Sequence, residues 1–562
     1  MRQYFFLLFW MIVFPLFGQN SEDAKPLPHI YIIKNATVVQ KPGIILDHTD
    51  LLIKDGLIVE IGKNLQMYNA QIIKGDSMFV YAGFIDGFSH IGISNSEKKE
   101  TPKIENPLLP ADNLVGISPQ ILGMSVFNQA EKSISEWRNV GITLANIAPK
   151  GPFLPGQSSI ILLGEGSSDR LTLSKSSGTA MNLQNASRAF PSTSIGIMAK
   201  FRELFIRAKN YKIQEETYIK SPIGRPRPAF SAELDALVPI TTKAKPVFFA
   251  ASNLKDIHKA TNLCEELSFK LSLVDVKQAW LCTEPIKQVG ANVFLSLELP
   301  QSESKKDTSK TKQDSLSSTS NTIFPEQLHF DSLKQKSIED HQKQAAFLEK
   351  SGIPFGFSLL SAKSQDFKKS ILTYIKNGLS PDAALAALTT YPAVVLGIDK
   401  WVGTIEKGKL ANLILTDKPY FNDKSSIIAV FVEGKKFPSE KKNTNESKID
   451  SKNTKYLGTW SYTVNIPGSI EKGTMKISNE NSNLAIEIIS DSSPSEPDSA
   501  FNIELNDNKL SFTINADLGQ PTKIDFDLTL DTKNYSGTIS IPQFGIFPIE
   551  GNLITSPQTS TN

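Results

Sequence analysis

Between about Phe79 and Leu396, short apolar runs alternate with helical segments, and this alternation constrains the chain more than any other feature. The runs Ile142 to Ala148, Val247 to Ala251, Leu271 to Val274, Val293 to Leu299 and Pro354 to Phe357 have the length of buried strands. From Asp366 onward, Phe367, Ile371, Tyr374 and Ile375 recur at helical spacing, and the pattern stops before Gly378. In the next segment Ser380 is placed to cap a helix, Pro381 sits in its first turn, and Asp382 complements its dipole. Such alternation predicts an α/β barrel or an open α/β sheet.

On both sides of this region the pattern changes to strands. From His29 to about Met78 apolar and polar residues alternate, and Asp55-Gly56 between two alternating runs predicts a hairpin. Alternation returns from Val402 to Phe437, at Gly403–Glu406, Ala411–Leu415 and Ile427–Val432. A β region interrupted by a barrel accounts for both stretches. Two polar runs, Gln301 to Asn321 and Pro438 to Lys455, lack the apolar surface needed to order themselves. Beyond Tyr456 the pattern is wholly β, with Asn, Asp and Gly turns, and predicts an antiparallel sandwich or a small up-and-down barrel.

Lys and Arg number 60 against 58 Asp and Glu, a balance that provides no field for nucleic acid or an anionic membrane. Arg2 followed by the apolar run Tyr4 to Phe17, with small Gly18 before a polar stretch, reads as a signal peptide over 1–18. No other run is long and apolar enough to span a bilayer, so no transmembrane anchor is expected and the mature chain is expected in the periplasm or outside the cell. Cys264 and Cys282 each fall in an apolar helical pattern, where a buried free thiol is the commoner outcome.

The run Tyr81-Ala82-Gly83-Phe84-Ile85-Asp86-Gly87-Phe88-Ser89-His90 resembles the first barrel strand of metal-dependent amidohydrolases, a superfamily that includes exported relatives similar to imidazolonepropionase. A second resemblance runs from Gly378-Leu379-Ser380-Pro381 through Val402-Gly403-Thr404-Ile405-Glu406-Lys407-Gly408 and Ala411-Asn412 to Val432-Glu433-Gly434-Lys435. The resemblance implies a TIM-like (β/α)8 barrel over 81–399, with 301–321 as a flexible insertion. It also implies a composite β domain split between 29–80 and 400–437, followed by a 438–455 linker. The C-terminal antiparallel β domain, 456–556, lies outside it.

The resemblance further implies which positions should bind metal, and most of them carry the wrong residue. The family has two histidines two apart on the first strand, so that both rings reach one metal; here Phe88 takes the first place and only His90 remains. The two middle-strand histidines are missing from Pro246–Ser252, where Ala250 stands, and from Lys270–Val276, where Asp275 is the one residue able to replace an imidazole. The last strand offers Ser358 where the family has an aspartate that binds metal and takes a proton from water. A catalytic zinc needs about three protein ligands plus a water. His258 falls in a helical pattern, His329 and His341 flank the polar insertion, and His29 and His48 belong to the β region.

Three functional expectations follow. The first is an envelope protein of the amidohydrolase family that is non-catalytic or weakly catalytic. Its barrel mouth would bind a small amide or peptide-like ligand, a companion amidohydrolase or a second copy of itself. The second is an active hydrolase of cyclic amides or dipeptides, with zinc or another divalent metal in a rebuilt mononuclear site made of His90, Asp275 and perhaps a folded-over His329. The third is a structural or binding role centred on the C-terminal β domain.

Overall fold

A computed structural model of the chain describes residues 30–94, 104–185 except 105 and 109, 189–300, 325–438, and 456–555 except 467–468, 481–482, 492–497, 507, 518–520 and 542–544. The expected signal peptide, His29, the 301–321 insertion and nearly all of the 438–455 linker lie outside the described residues. Among the described residues no helix is long and apolar enough to cross a membrane. The chain divides at Pro438 into two compact units.

The first unit begins with β1 (Tyr31–Lys41), β2 (Ile44–Lys54), β3 (Leu57–Gly62), β4 (Gln71–Lys74) and β5 (Phe79–Ala82). Asp55 and Gly56, with φ of 52° and 81°, form the expected two-residue turn between the antiparallel β2 and β3. After Gly83 the chain enters a second sheet, whose strands lie in chain order: β6 (Phe84–Ser89), β7 (Ile142–Ile147), β8 (Gly156–Leu162), β9 (Thr172–Met181), β10 (Pro246–Ala250), β11 (Lys270–Val276), β12 (Asn292–Ser296) and β13 (Phe355–Ser358). Helices α1 (Lys132–Asn139), α2 (Ser168–Leu171), α3 (Ser194–Lys220), α4 (Ala232–Thr241), α5 (Leu254–Leu267), α6 (Thr283–Val289) and α7 (Pro325–Lys350) fall between the strands. Three more, α8 (Phe367–Lys376), α9 (Pro381–Leu388) and α10 (Thr390–Val395), follow the last strand. The Ser380 side chain accepts from Ala383 N at the start of α9, as its position predicts.

The barrel departs from a regular (β/α)8 pattern at one strand. β8 runs antiparallel to both β7 and β9, while every other neighbouring pair is parallel. Only residues 148–155 join β7 to β8, and they include Pro149, Gly151, Pro152 and Pro155. A parallel return needs a crossover of a dozen or more residues. So short a Pro-rich link holds no helix, and the strand must come straight back.

The barrel closes between its first and last strands. Ser358 Oγ donates to Phe88 O at 2.8 Å, and Leu359 N reaches the same carbonyl at 3.2 Å. Asp86 Oδ1 accepts from both Phe88 N (3.1 Å) and Leu359 N (3.0 Å), so one buried carboxyl group holds the backbone on each side of the seam. Gly87 permits this closeness: a Cβ there would lie 2.0 Å from the Phe294 ring.

After α10 the chain returns to the first sheet through β14 (Leu413–Thr416), β15 (Ile427–Val432) and β16 (Lys435–Pro438). The sheet order is β16-β15-β14-β5-β1-β2-β3, with β4 beside β1, so the two ends of the unit share one sheet and its apolar core. Gly403–Glu406, expected as a strand, is irregular; Ile405 N instead reaches Gln40 O at 2.9 Å, and its side chain is buried in that core. Cys264 lies in α5 as its pattern suggested, but Cys282 caps α6 rather than lying within a helix. Both thiols are free and buried, and burial pushes Cys264 up to about 11.

The second unit is an all-antiparallel sheet of nine strands: β17 (Gly458–Ile466), β18 (Ser469–Glu480), β19 (Asn483–Ser490), β20 (Asp498–Ser499), β21 (Phe501–Asn506), β22 (Lys509–Asp517), β23 (Pro521–Leu530), β24 (Asn534–Ile541) and β25 (Gly545–Thr555). The first strand pairs with the last, and the meander encloses a core built around Trp460, Phe512 and Phe526. Of the two arrangements expected, this is the up-and-down one.

Asp86 makes stability depend on pH. Burial raises its carboxyl pKa from 3.8 to about 7, against the hydrogen bonds that favour its charge. The folded chain therefore keeps a proton that the unfolded chain has lost between about pH 4 and 7, and stability falls as pH rises through that window. Asp86→Asn should gain stability relative to wild type as pH is raised from about 4 to 8. Urea unfolding at several pH values measures this; a constant difference would refute it.

Candidate functional site

Phe88 and Ala250, two of the positions at which the sequence predicts a missing ligand, lie in an apolar, partly aromatic cluster inside the barrel. Phe88, at the end of β6, is 4% exposed and stacks on Phe248 of β10, with ring centroids 5.5 Å apart and planes at 29°. Ala148, Ala180, Val274 and Phe294 complete the cluster, and Ala250 packs against it. An aromatic pair of this kind contributes about 0.5–1.5 kcal/mol beyond the area it buries. The ring is therefore held where a cation would need a lone pair.

His90 lies edge-on to Phe88, centroids 6.4 Å apart. Its Nδ1 is 2.8 Å from Ala148 O, so Nδ1–H donates to the carbonyl and Nε2 keeps the lone pair. Burial pushes its pKa down and nearby Lys150 adds to this, against the hydrogen bond to Ala148 O. Ser358 is fully buried, and its proton is committed to Phe88 O. The same oxygen accepts from Leu360 N at 3.3 Å, so the hydroxyl is engaged as both donor and acceptor.

Asp275 turns toward the rim. It sits at an irregularity of β11 with φ of 56°, in the left-handed region that Asp tolerates better than most residues. Ser361 Oγ donates to its Oδ2 at 2.7 Å, and Lys277 Nζ lies 4.0 Å away while pairing with Glu298 at 2.5 Å. Burial raises the Asp275 pKa, opposed by the Ser296 and Ser361 hydroxyls and by Lys277. Its Oδ1 is buried without a hydrogen-bond partner.

The structure thus joins Phe88, Ala250, His90 and Ser358 around the end of β6 and ties Asp275 to different partners. Among the described residues, no three His, Cys, Asp or Glu side chains converge as metal ligands. His329 is exposed on α7, and His258 is exposed on α5. His341 bonds Ser337 O within α7 and packs edge-on to Trp280, while His48 bonds Asn35. The donor set does not fit a catalytic zinc, which needs about three protein ligands.

The C-terminal quarter of this unit carries the family match. Residues 322–437 match the model of the amidohydrolase family. A dihydroorotase of Macrococcus caseolyticus is 46% identical over 52 residues, and a D-hydantoinase of Geobacillus stearothermophilus is 31% identical over 111. Over these residues the chain is similar to the amidohydrolase family. Those matches span 9% and 19% of this chain and only 12% and 23% of the two relatives. The fold likeness is wider: an amidohydrolase from Thermotoga maritima superposes over 73% of this chain and all of its own, at 21% identity and a TM-score of 0.59.

Within this barrel, sequence reasoning missed Ser361, Lys277 and Glu298, the partners that hold Asp275 and its neighbours. Asp275-Val276-Lys277 carried a faint signal, an acid and a base two apart at a strand end. The other two residues come from later loops, which no local pattern links to β11. Asp86 was visible in the motif but carried no assigned role.

Phe88→His tests the plug. An imidazole there loses the stack and leaves polar atoms in an apolar cluster, a cost of roughly 1–3 kcal/mol. The variant should unfold at lower urea and gain no stability from zinc. Zinc-dependent stabilisation would mean that a second ligand set lies within reach.

Proposed function

We propose that this amidohydrolase-family protein does not carry out metal-dependent hydrolysis, and that its barrel mouth binds a small amide or peptide-like ligand. One observation carries the reading: the Phe88 ring, stacked on Phe248, fills the place of a metal-binding imidazole. Ala250 and Ser358 supply no donor at the neighbouring positions, since one is a methyl group and the other spends its hydroxyl on the barrel seam. Fold alone does not confer activity. The signal-like segment at 1–18 supports a place in the cell envelope, where a companion amidohydrolase or a second copy would be a natural partner.

The competing reading, a hydrolase with one rebuilt metal site, would need His90, Asp275 and His329 together. His90 donates to Ala148, Asp275 is engaged by Ser361, and His329 stands exposed on α7.

Elemental analysis of the untagged mature protein after equilibration with zinc tests the proposal. Less than about one tenth of an equivalent is expected, against the one or two metals of catalytic sites. One or more tightly held equivalents, with turnover of dipeptide or cyclic-amide substrates lost in His90→Ala, would overturn it.

A further inference from the structure

The loops after the seventh and eighth barrel strands enclose a cavity of about 410 Å³. One wall is Leu297–Pro300, following β12; the other runs from Ser361 past Lys363 and Asp366 into α8. That volume suits a small organic molecule.

The charges on this cavity are unevenly satisfied. Glu298 is neutralised by Lys277. Lys363 and Lys369 both line the cavity and are exposed, and neither ammonium group has an acidic or carbonyl partner among the described residues. Asp366 is the remaining acid on the lining. The loop leads directly into a 3-10 turn (Ser364–Asp366) and α8, whose N-terminal end adds partial positive charge. Barrels of this architecture often hold anionic groups between the loops after strands seven and eight, beside a short extra helix.

Ser361 supplies the second element of recognition. Its proton is committed to the buried Asp275, so its lone pairs face a ligand as acceptors. A donor on the ligand would find this acceptor, while its anionic group met the two lysines.

We propose that this cavity binds a small organic anion, a carboxylate or phosphate monoester with an adjacent hydroxyl or N–H donor, through Lys363, Lys369 and Ser361. The site is off the barrel axis and uses none of the lost metal positions directly. It deepens the binding role proposed for the mouth and rests on that reading.

Calorimetric titration of the full chain with inorganic phosphate, glycerol phosphate and lactate, at one fixed ionic strength, tests it. Saturable binding of at least one probe is expected. It should weaken at least about tenfold in the double variant Lys363→Gln/Lys369→Gln, the loss of two charge-assisted contacts. Lys376→Gln, whose ammonium pairs with Asp423 outside the cavity, should bind as wild type does. Ser361→Ala should weaken glycerol phosphate and lactate severalfold. Binding of the phosphates alone would identify a phosphate monoester as the ligand class, and binding of lactate alone a carboxylate. No saturable binding up to about 10 mM, or undiminished binding by the double lysine variant, would overturn the proposal. Tightly held zinc would instead sink the functional reading and leave an observed anion site standing.

Discussion

Asp86 carries the closure of the barrel. Its Oδ1 accepts from the backbone of β6 and from the residue just after β13, the two strands that must meet. Fully buried, such a carboxyl group is costly when charged, and its pKa near 7 reflects that cost. Around it the approach is tight: Gly87 leaves room for the Phe294 ring, and the Ser358 hydroxyl bonds Phe88 O. The elements at the mouth take their positions from this seam.

What fills the barrel follows from the same closeness. Phe88, Phe248 and Phe294 come from β6, β10 and β12 and meet inside with Val274 of β11. In a metal-dependent relative the corresponding space must admit a cation, its ligands and water. Here apolar packing provides cohesion instead, and the Ser358 hydroxyl is engaged in a structural bond to Phe88 O. His90 bonds Ala148 O through one ring nitrogen and has no partner ligand among the described residues.

Polarity has moved outward to the rim. Asp275, Ser361, Lys277 and Glu298 form a bonded group at the ends of β11 and β12 and the loop after β13, with Lys363 and Lys369 beside it. A barrel with a filled axis thus retains a charged, recessed surface on the face where such folds place their chemistry.

The sequence by itself determined the alternation of strand and helix, the hairpin at Asp55-Gly56, the cap at Ser380 and the all-β tail, because each depends on periodicity or on residues a few positions apart. It also raised the expectation that Phe88, Ala250 and Ser358 stand at metal-binding positions, a reading that rests on the resemblance of the motifs. The reversed strand β8 was legible only in part: Pro149, Gly151, Pro152 and Pro155 were in view, but the pairing direction they impose was not. Tertiary structure alone decided where Asp275 would point and what Asp86 would hold. Their partners, Ser361 and Leu359, lie 86 and 273 residues away along the chain, and only barrel closure brings them within hydrogen-bond distance.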